Sequence, residues 1–256
     1  MTEHNDSGPT PTAAVLIIGN EILSGRTQDT NLNYIATRLA ARGIRLAEAR
    51  VVADIEDEIV ASVRALSARY SYVFTTGGIG PTHDDITAEA MAEAFDRPLI
   101  VNPEARELLE RHYGAGKVSP GRLRMARTPE GASLVRNPVS AAPGFRIENV
   151  FIMAGVPAIM RAMIDAIVPT LPGGPVVLAR SMSCQIGESV FAEQLGAIQD
   201  AHPDVDIGSY PWYRGGEFGV SLVSRGTDAA VLDVVVGEIS AMIRSLGGVP
   251  VEEDAG

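Results

Sequence analysis

The chain has 256 residues, 46% of them hydrophobic and 21% charged; that supports a buried core, and a mean hydropathy of +0.12 excludes a mainly disordered protein. Thirty-two Asp and Glu against 21 Lys and Arg leave a net charge of -11, a field that repels phosphate backbones and excludes nucleic acid as a main partner. The single cysteine, Cys184, allows neither an internal disulfide nor a thiolate metal site and points to a reducing, cytoplasmic setting.

Residues 1–12 are polar, carry Pro9 and Pro11, and read as a flexible tail without a secretory start. Residues 13–19 form an apolar run closed by glycine, too short for the roughly 20 residues of a membrane helix and suited to a strand buried on both faces of a parallel sheet. No membrane contact is expected. A helix follows on Leu32, Ile35, Ala36 and Leu39, with Asp29 or Thr30 to cap it and Gly43 to close it. Residues 46–52 supply a second strand, and Asp54 opens a helix on Ile55, Ile59, Val63 and Leu66. Residues 72–75 supply a third strand, followed by a glycine-rich loop at 77–82 and a helix around Ala88, Met91 and Phe95. Asn102 and Pro103 then mark the start of another helix, with Leu108 and Leu109 facing inward.

Residues 114–138 are rich in Arg, Gly and Pro and read as a long excursion. Strand pattern returns over 145–153, with Glu148 and Asn149 as a turn, and Pro157 opens a helix to Ile167. Residues 169–175 read as a linker. Beyond it the pattern is strand (176–186), helix (188–201), two strands (205–210 and 217–224) and a closing helix (228–246). The expected architecture is therefore an α/β domain over 13–172 with a mostly parallel sheet, a small α+β domain over 175–248, and an acidic, frayed tail over 249–256.

In an open parallel sheet, ligands bind outside the carboxyl ends of the strands. The loops leaving those ends carry Gly19 and Glu21 with Asp29 and Asn31, then Asp54, then the stretch 75–87 with Thr76, Gly77, Gly78, Gly80, Thr82, Asp84 and Asp85, and finally Gly155. Glycine N–H groups ahead of a helix suit phosphate oxygens. The carboxylates would repel those phosphates unless a divalent cation stood between them, and hard oxygen donors suit magnesium or manganese. A carboxylate can instead accept two parallel N–H bonds from the amino-pyrimidinone edge of a pterin, with no metal.

Simpler uses compete with these. Asp54, Asp84 and Asp85, each taken alone, more readily cap a helix, and Thr82 with Asp85 fits a capping box; Asp29 and Asn31 invite the same reading, whereas Glu21 is less easily explained as a cap. His83 reads as a solvated loop residue and Cys184 as a small core residue. Arg122, Arg124 and Arg127 form a solvated face or, alternatively, a phosphate clamp. Lys117 is the only lysine and there is no Walker-type phosphate loop, no full dinucleotide-binding glycine spacing, no H-E-x-x-H and no G-x-S-x-G.

Over residues 76–87 the sequence resembles the MoaB/Mog domain of molybdopterin-binding and molybdopterin-adenylylating proteins, and within that family the CinA-type branch, competence/damage-inducible protein A. The likeness rests on Gly19-Asn20-Glu21-Ile22-Leu23-Ser24-Gly25 with Asp29-Thr30-Asn31, on Gly77-Gly78-Ile79-Gly80-Pro81-Thr82 with Asp84-Asp85, and on Ala142-Pro143-Gly144-Phe145. It spans residues 13–172 and continues more loosely over 176–246, through Gly187-Glu188-Ser189 and Ser209-Tyr210-Pro211. The resemblance implies a three-layer α/β/α sandwich and a homo-oligomer, a dimer or trimer. It further implies metal-dependent cleavage of pyrophosphates such as ADP-ribose or FAD, with pterin binding or adenylylation, or nucleotide binding without turnover, as alternatives. CinA proteins also carry a C-terminal amidase domain, whose activity is not expected here.

The expected site has Asp84, Asp85 and Asp54 as catalytic groups and Glu21, Asp84 and Asp85 around the metal. Gly19, Glu21, Asp29, Asn31, Thr76, Gly77, Gly78, Gly80, Thr82, Pro143, Gly144 and Gly155 would surround the nucleotide or pterin. Two positions depart from the family pattern: Ala154 stands where many relatives have proline, and Ile159 where they have glutamate.

Overall fold

The apolar run at the start of the chain becomes β1 (Thr12–Ile18), an inner strand with Ala13, Ala14, Val15 and Leu16 wholly buried. The computed structural model describes residues 10–114 and 116–253; most of the expected N-terminal tail, residues 1–9, lies outside them. The chain divides into two compact units, Met1–Pro175 and Val176–Gly256.

In the first unit, β1 is followed by the short α1 (Asn20–Leu23), α2 (Asn31–Ala40), β2 (Arg45–Val52), α3 (Glu56–Arg69), β3 (Tyr72–Thr76) and α4 (Thr87–Ala94). Then come β4 (Leu99–Val101), α5 (Pro103–Tyr113), α6 (Pro120–Arg124), β5 (Arg127–Pro129), β6 (Ser133–Val135), β7 (Gly144–Ile147), β8 (Val150–Met153) and α7 (Pro157–Ile167), with a 3-10 turn at Val168–Thr170. The main sheet has the order β2-β1-β3-β8-β7-β6. Its first four strands are mutually parallel, and β7 and β6 close it antiparallel.

Alternation along the strands sends successive side chains to opposite layers. Ala14, Leu16 and Ile18 pack with Ile59, Val63 and Leu66 of α3 and Met91 of α4, whereas Ala13, Val15 and Ile17 pack with Ile35 and Leu39 of α2 and Met160, Met163 and Ile164 of α7. The result is the expected three-layer sandwich. Phe74 and Phe151 stack with ring centroids 5.3 Å apart, a pair worth about 1 kcal/mol beyond its area burial.

Helix ends follow local chemistry. Asn102 caps α5 by accepting the N–H groups of Glu104 and Ala105, and Glu56, Asp57 and Glu58 place negative charge on the first turn of α3. The excursion over 114–138 is more ordered than the composition suggests. It supplies α6, β5 paired with β4, and β6 as an edge of the main sheet, with Ala126 buried against Ala105 and Leu109.

The second unit contains β9 (Leu178–Cys184), α8 (Glu188–Ala201), β10 (Asp206–Arg214), β11 (Glu217–Gly226), α9 (Ala229–Ser245) and β12 (Val251–Glu253), with an antiparallel sheet in the order β10-β11-β9-β12. Cys184 is 3% exposed in a core with Phe191, Leu222 and Ile239, which is the small-residue role expected of it. The reading of 249–256 as a frayed tail is corrected over 251–253, where Val251, Glu252 and Glu253 pair with Ser183, Met182 and Ser181. Main-chain hydrogen bonds make that edge strand, and composition does not register them. Residues 254–256 lie outside the described ones. Among the described residues no helix is long and apolar enough to cross a membrane.

Candidate functional site

At the carboxyl ends of β1, β2, β3 and β8 the loops surround a cleft of about 530 Å³. Gly19, Glu21, Asp54, Gly77, Gly78, Gly80, Asp84, Asp85 and Gly155 all line it. Nine expected positions, drawn from four separate loops, are thus brought together.

Two carboxylates stand at the β1–β2 corner. Asp54 accepts the Asn20 N–H at 2.8 Å and so ties the end of β2 to the start of α1; it does not cap α3, whose N-cap is Ile55. The Glu21 carboxylate folds back over Gly19, 2.7 Å from where a Cβ would stand. The other two sit on the turn before α4. Asp85 accepts both the N–H and the hydroxyl of Thr82, which is one half of the capping-box contact, but α4 starts only at Thr87, so the bond closes a turn and not a helix end. The Thr82 hydroxyl, the residue's own backbone N–H and His83 hold Asp84 below the usual aspartate range.

The glycines of the loop have individual reasons. Gly77 has φ 106° and a Cβ there would lie 2.1 Å from the Ile18 carbonyl oxygen; Gly78 has φ 66° and its Cβ would meet the Thr87 hydroxyl at 2.1 Å. Only glycine satisfies both demands. The Gly77 N–H already donates to Met153 O at 3.2 Å and is not a free phosphate donor, which corrects its expected role in the cradle. Among the described residues nothing accepts the N–H groups of Gly78, Ile79 and Gly80. Facing this loop, the N-terminus of α7 has no side-chain cap, and Gly155, Val156, Pro157 and Ile159 bring it to the cleft. Both are favourable surroundings for an anion.

Six expected positions do not line the cleft. Asp29 accepts the Leu32 N–H at 2.9 Å and caps the start of α2, so four carboxylates, not five, stand at the rim. Asn31 is 5% exposed; its amide donates to Gly155 O at 2.8 Å, while its own Oδ1 is buried with no partner among the described residues. Thr76 is buried at the end of β3. Thr82 serves Asp85. Pro143 lines a small recess behind the glycine loop, and Gly144 is packed in β7 with room for no Cβ beside Ile152 O.

The cleft also contains residues that sequence reasoning did not single out, Thr27, Met125, Asn137 and Ser140, besides Ala142 of the matching Ala-Pro-Gly-Phe segment and Ala154 and Ile159, the two departures from the family pattern. Asn137 shapes its loop by accepting the N–H groups of Val139 and Ser140 and donating to Ala142 O. An Asn two residues ahead of a turn is the only signal the sequence carried for it. Among the described residues no Arg, Lys or His lines the cleft, and Arg122, Arg124 and Arg127 lie outside its lining. Among the described residues no three Asp, Glu, His or Cys side chains form a group that could hold a metal. Glu21, Asp84 and Asp85 therefore share a cleft without making a ready-built cage.

Residues 14–173 match the family model described as probable molybdopterin binding domain, and residues 176–252 match the middle domain of FAD synthase. A CinA-like protein of Desulfosudis oleivorans is 33% identical over 95% of this chain, which spans 62% of that protein's length. A protein of Archaeoglobus fulgidus is 36% identical over 77% of this chain and 84% of its own. The crystal structure of a CinA protein of unknown function from Thermoplasma acidophilum is 35% identical, with a TM-score of 0.59 over 62% of this chain and 96% of that one.

Proposed function

This chain belongs to the family of probable molybdopterin-binding (MoaB/Mog) domains, with CinA-like relatives and a second unit like the FAD synthase middle domain, and we propose that its cleft hydrolyses nucleotide pyrophosphates with a divalent metal. One observation carries the reading: among the described residues, Gly78, Ile79 and Gly80, whose N–H groups have no acceptor, line one cleft with four carboxylates and no cationic side chain. A pyrophosphate enters such a cleft with its charge offset by a cation. Magnesium or manganese fits this donor set, because such ions are commonly held by one or two carboxylates together with substrate phosphates and need no complete protein cage.

One or two of Asp84, Asp85 and Glu21, together with the substrate phosphates, would hold the ion. When bound, it would polarise a phosphoryl oxygen and lower the pKa of a water molecule. Gly78, Ile79 and Gly80 offer their N–H groups to phosphate oxygens, and the start of α7 adds its dipole. Asp54, with one oxygen engaged by Asn20, has the other available to orient water. The neutral side chains of Met125, Asn137, Ser140 and Ile159 line the remainder, where an uncharged nucleoside portion fits without charge repulsion.

A second reading, binding of a pterin, is favoured by the same excess of carboxylates, since one of them can accept the paired N–H groups of an amino-pyrimidinone without any metal. A screen of ADP-ribose, FAD and related dinucleotides, with and without magnesium or manganese and read by mass spectrometry, tests both. Metal-dependent release of AMP is expected. Absence of cleavage together with copurified pterin fluorescence would establish the second reading in place of the first.

A further inference from the structure

Behind the glycine loop, on the side away from the cleft, Arg124 donates to the main-chain carbonyl of Asp85 at 3.1 Å. Its guanidinium also lies 3.5 Å from Glu89 on α4, and Glu89 is bound in turn by Arg127 at 2.6 Å. All three side chains are only about a third exposed or less. Arg124 closes α6, and its neighbour Met125 lines the cleft itself. The excursion that bears α6 is thus fastened to the one turn that carries two rim carboxylates.

That turn needs an outside anchor. Asp84 and Asp85 precede α4 and gain no support from its hydrogen-bond ladder, and Asp85's side chain holds only Thr82, three residues away in the same turn. Without Arg124, the turn's hydrogen bonds to the rest of the unit, among the described residues, are those of Thr87 to Gly77 and Gly78, beside the packing of Ile79 and Ile86 against the core. A planar guanidinium can serve a carbonyl and a carboxylate at once, whereas an ammonium is a point donor.

We infer that Arg124 is a positioning residue: held by Glu89, it fixes the main chain at Asp85 and so sets where Asp84 and Asp85 stand in the cleft. The inference rests on the proposed role of those carboxylates but concerns a contact that the pyrophosphatase reading does not use. It also assigns the arginine cluster a use that is neither a solvated face nor a phosphate clamp.

The test compares wild type with Arg124→Gln, Arg124→Lys and Glu89→Gln. Hydrogen exchange is followed at the hydrogen-bonded amides of Thr82 and Asp85, metal-free ADP-ribose binding by calorimetry, and ADP-ribose hydrolysis with manganese. For Arg124→Gln, exchange at the turn should speed up about tenfold while β3 and α4 stay protected. Its metal-free affinity should be unchanged, and kcat should fall by roughly ten- to a hundredfold from misplacement alone. Arg124→Lys, which keeps a donor for the Asp85 carbonyl, should recover part of both losses, and Glu89→Gln should show the same pattern more weakly.

Wild-type exchange at the turn in Arg124→Gln overturns the inference. So does a rise spread over β3 and α4, which marks general loosening, or a loss of metal-free affinity, which puts Arg124 against the ligand. If wild type releases no AMP, the pyrophosphatase reading fails by itself, and exchange and calorimetry still decide the role of Arg124.

Discussion

Asp85 combines two duties that a single substitution separates. Its carboxylate accepts from the N–H and hydroxyl of Thr82, and it lines the cleft beside Gly80. An asparagine retains a carbonyl oxygen for Thr82 but loses the negative charge. Asp85→Asn should therefore cost at most about 1.5 kcal/mol of stability, the scale of one weakened hydrogen bond, while metal-dependent turnover falls by roughly 10²-fold or more. Urea denaturation and the AMP-release assay check the two halves; a variant that keeps full activity in the presence of metal removes Asp85 from the chemistry. Thr82 itself acts through Asp84 and Asp85 and not on the cleft, a distinction that motif matching alone does not make.

Between elements, polar clasps join pieces that the hydrophobic pattern only brings near each other. Tyr70, at the end of α3, donates its hydroxyl to Glu48 of β2 at 2.6 Å, and Arg50 pairs with the same carboxylate at 2.6 Å. Tyr70 foremost, then Arg50, holds Glu48 below the usual glutamate range, and the carboxylate in turn pushes Tyr70 up. A depressed acid contributes stability that is present above its unfolded pKa and is lost as pH falls through the folded value. A raised phenol contributes below its unfolded pKa, and that contribution is lost as pH rises through the folded value. Tyr70→Phe should accordingly flatten both limbs. Its denaturation midpoint should differ from wild type at neutral pH, and the two should converge as pH falls through the folded value of Glu48. Parallel midpoint curves over the whole acid limb would show that the clasp does not titrate. Asn149 makes a comparable clasp, donating to Ser67 O and Tyr70 O from the β7–β8 turn.

For the whole molecule, charge decides which partners are admitted. A net charge of -11 opposes association with a duplex, and the arginines at 124 and 127 are engaged by Glu89, which disfavours counterion displacement by them. No salt-sensitive binding to duplex DNA is expected at physiological ionic strength, measured by fluorescence anisotropy across a salt series. Tight binding that weakens steeply with salt would contradict this.

The sequence by itself determined the alternation of strands and helices around a mostly parallel sheet, because β1 is apolar from Ala13 to Ile18 and α2, α3 and α7 carry apolar residues at helical spacing, and these periods depend only on local geometry; the three layers were what the family resemblance implied. It also pointed to the loops that leave the strands' carboxyl ends, since ligands bind there in an open parallel sheet, while the strand order itself came from the structure. What it left open were the assignments that depend on contacts between distant residues. Asp29 and Asp54 look alike beside a helix start, yet one caps α2 and the other reaches Asn20, 34 residues back in the chain. The strand at 251–253 exists because β9 has a free edge there, and Asn137, Ser140 and Met125 reach the cleft because α6 and β6 fold the arginine-rich excursion back onto the main sheet. Such hydrogen bonds and edge pairings are settled only when the tertiary structure brings the partners within about 3 Å of each other.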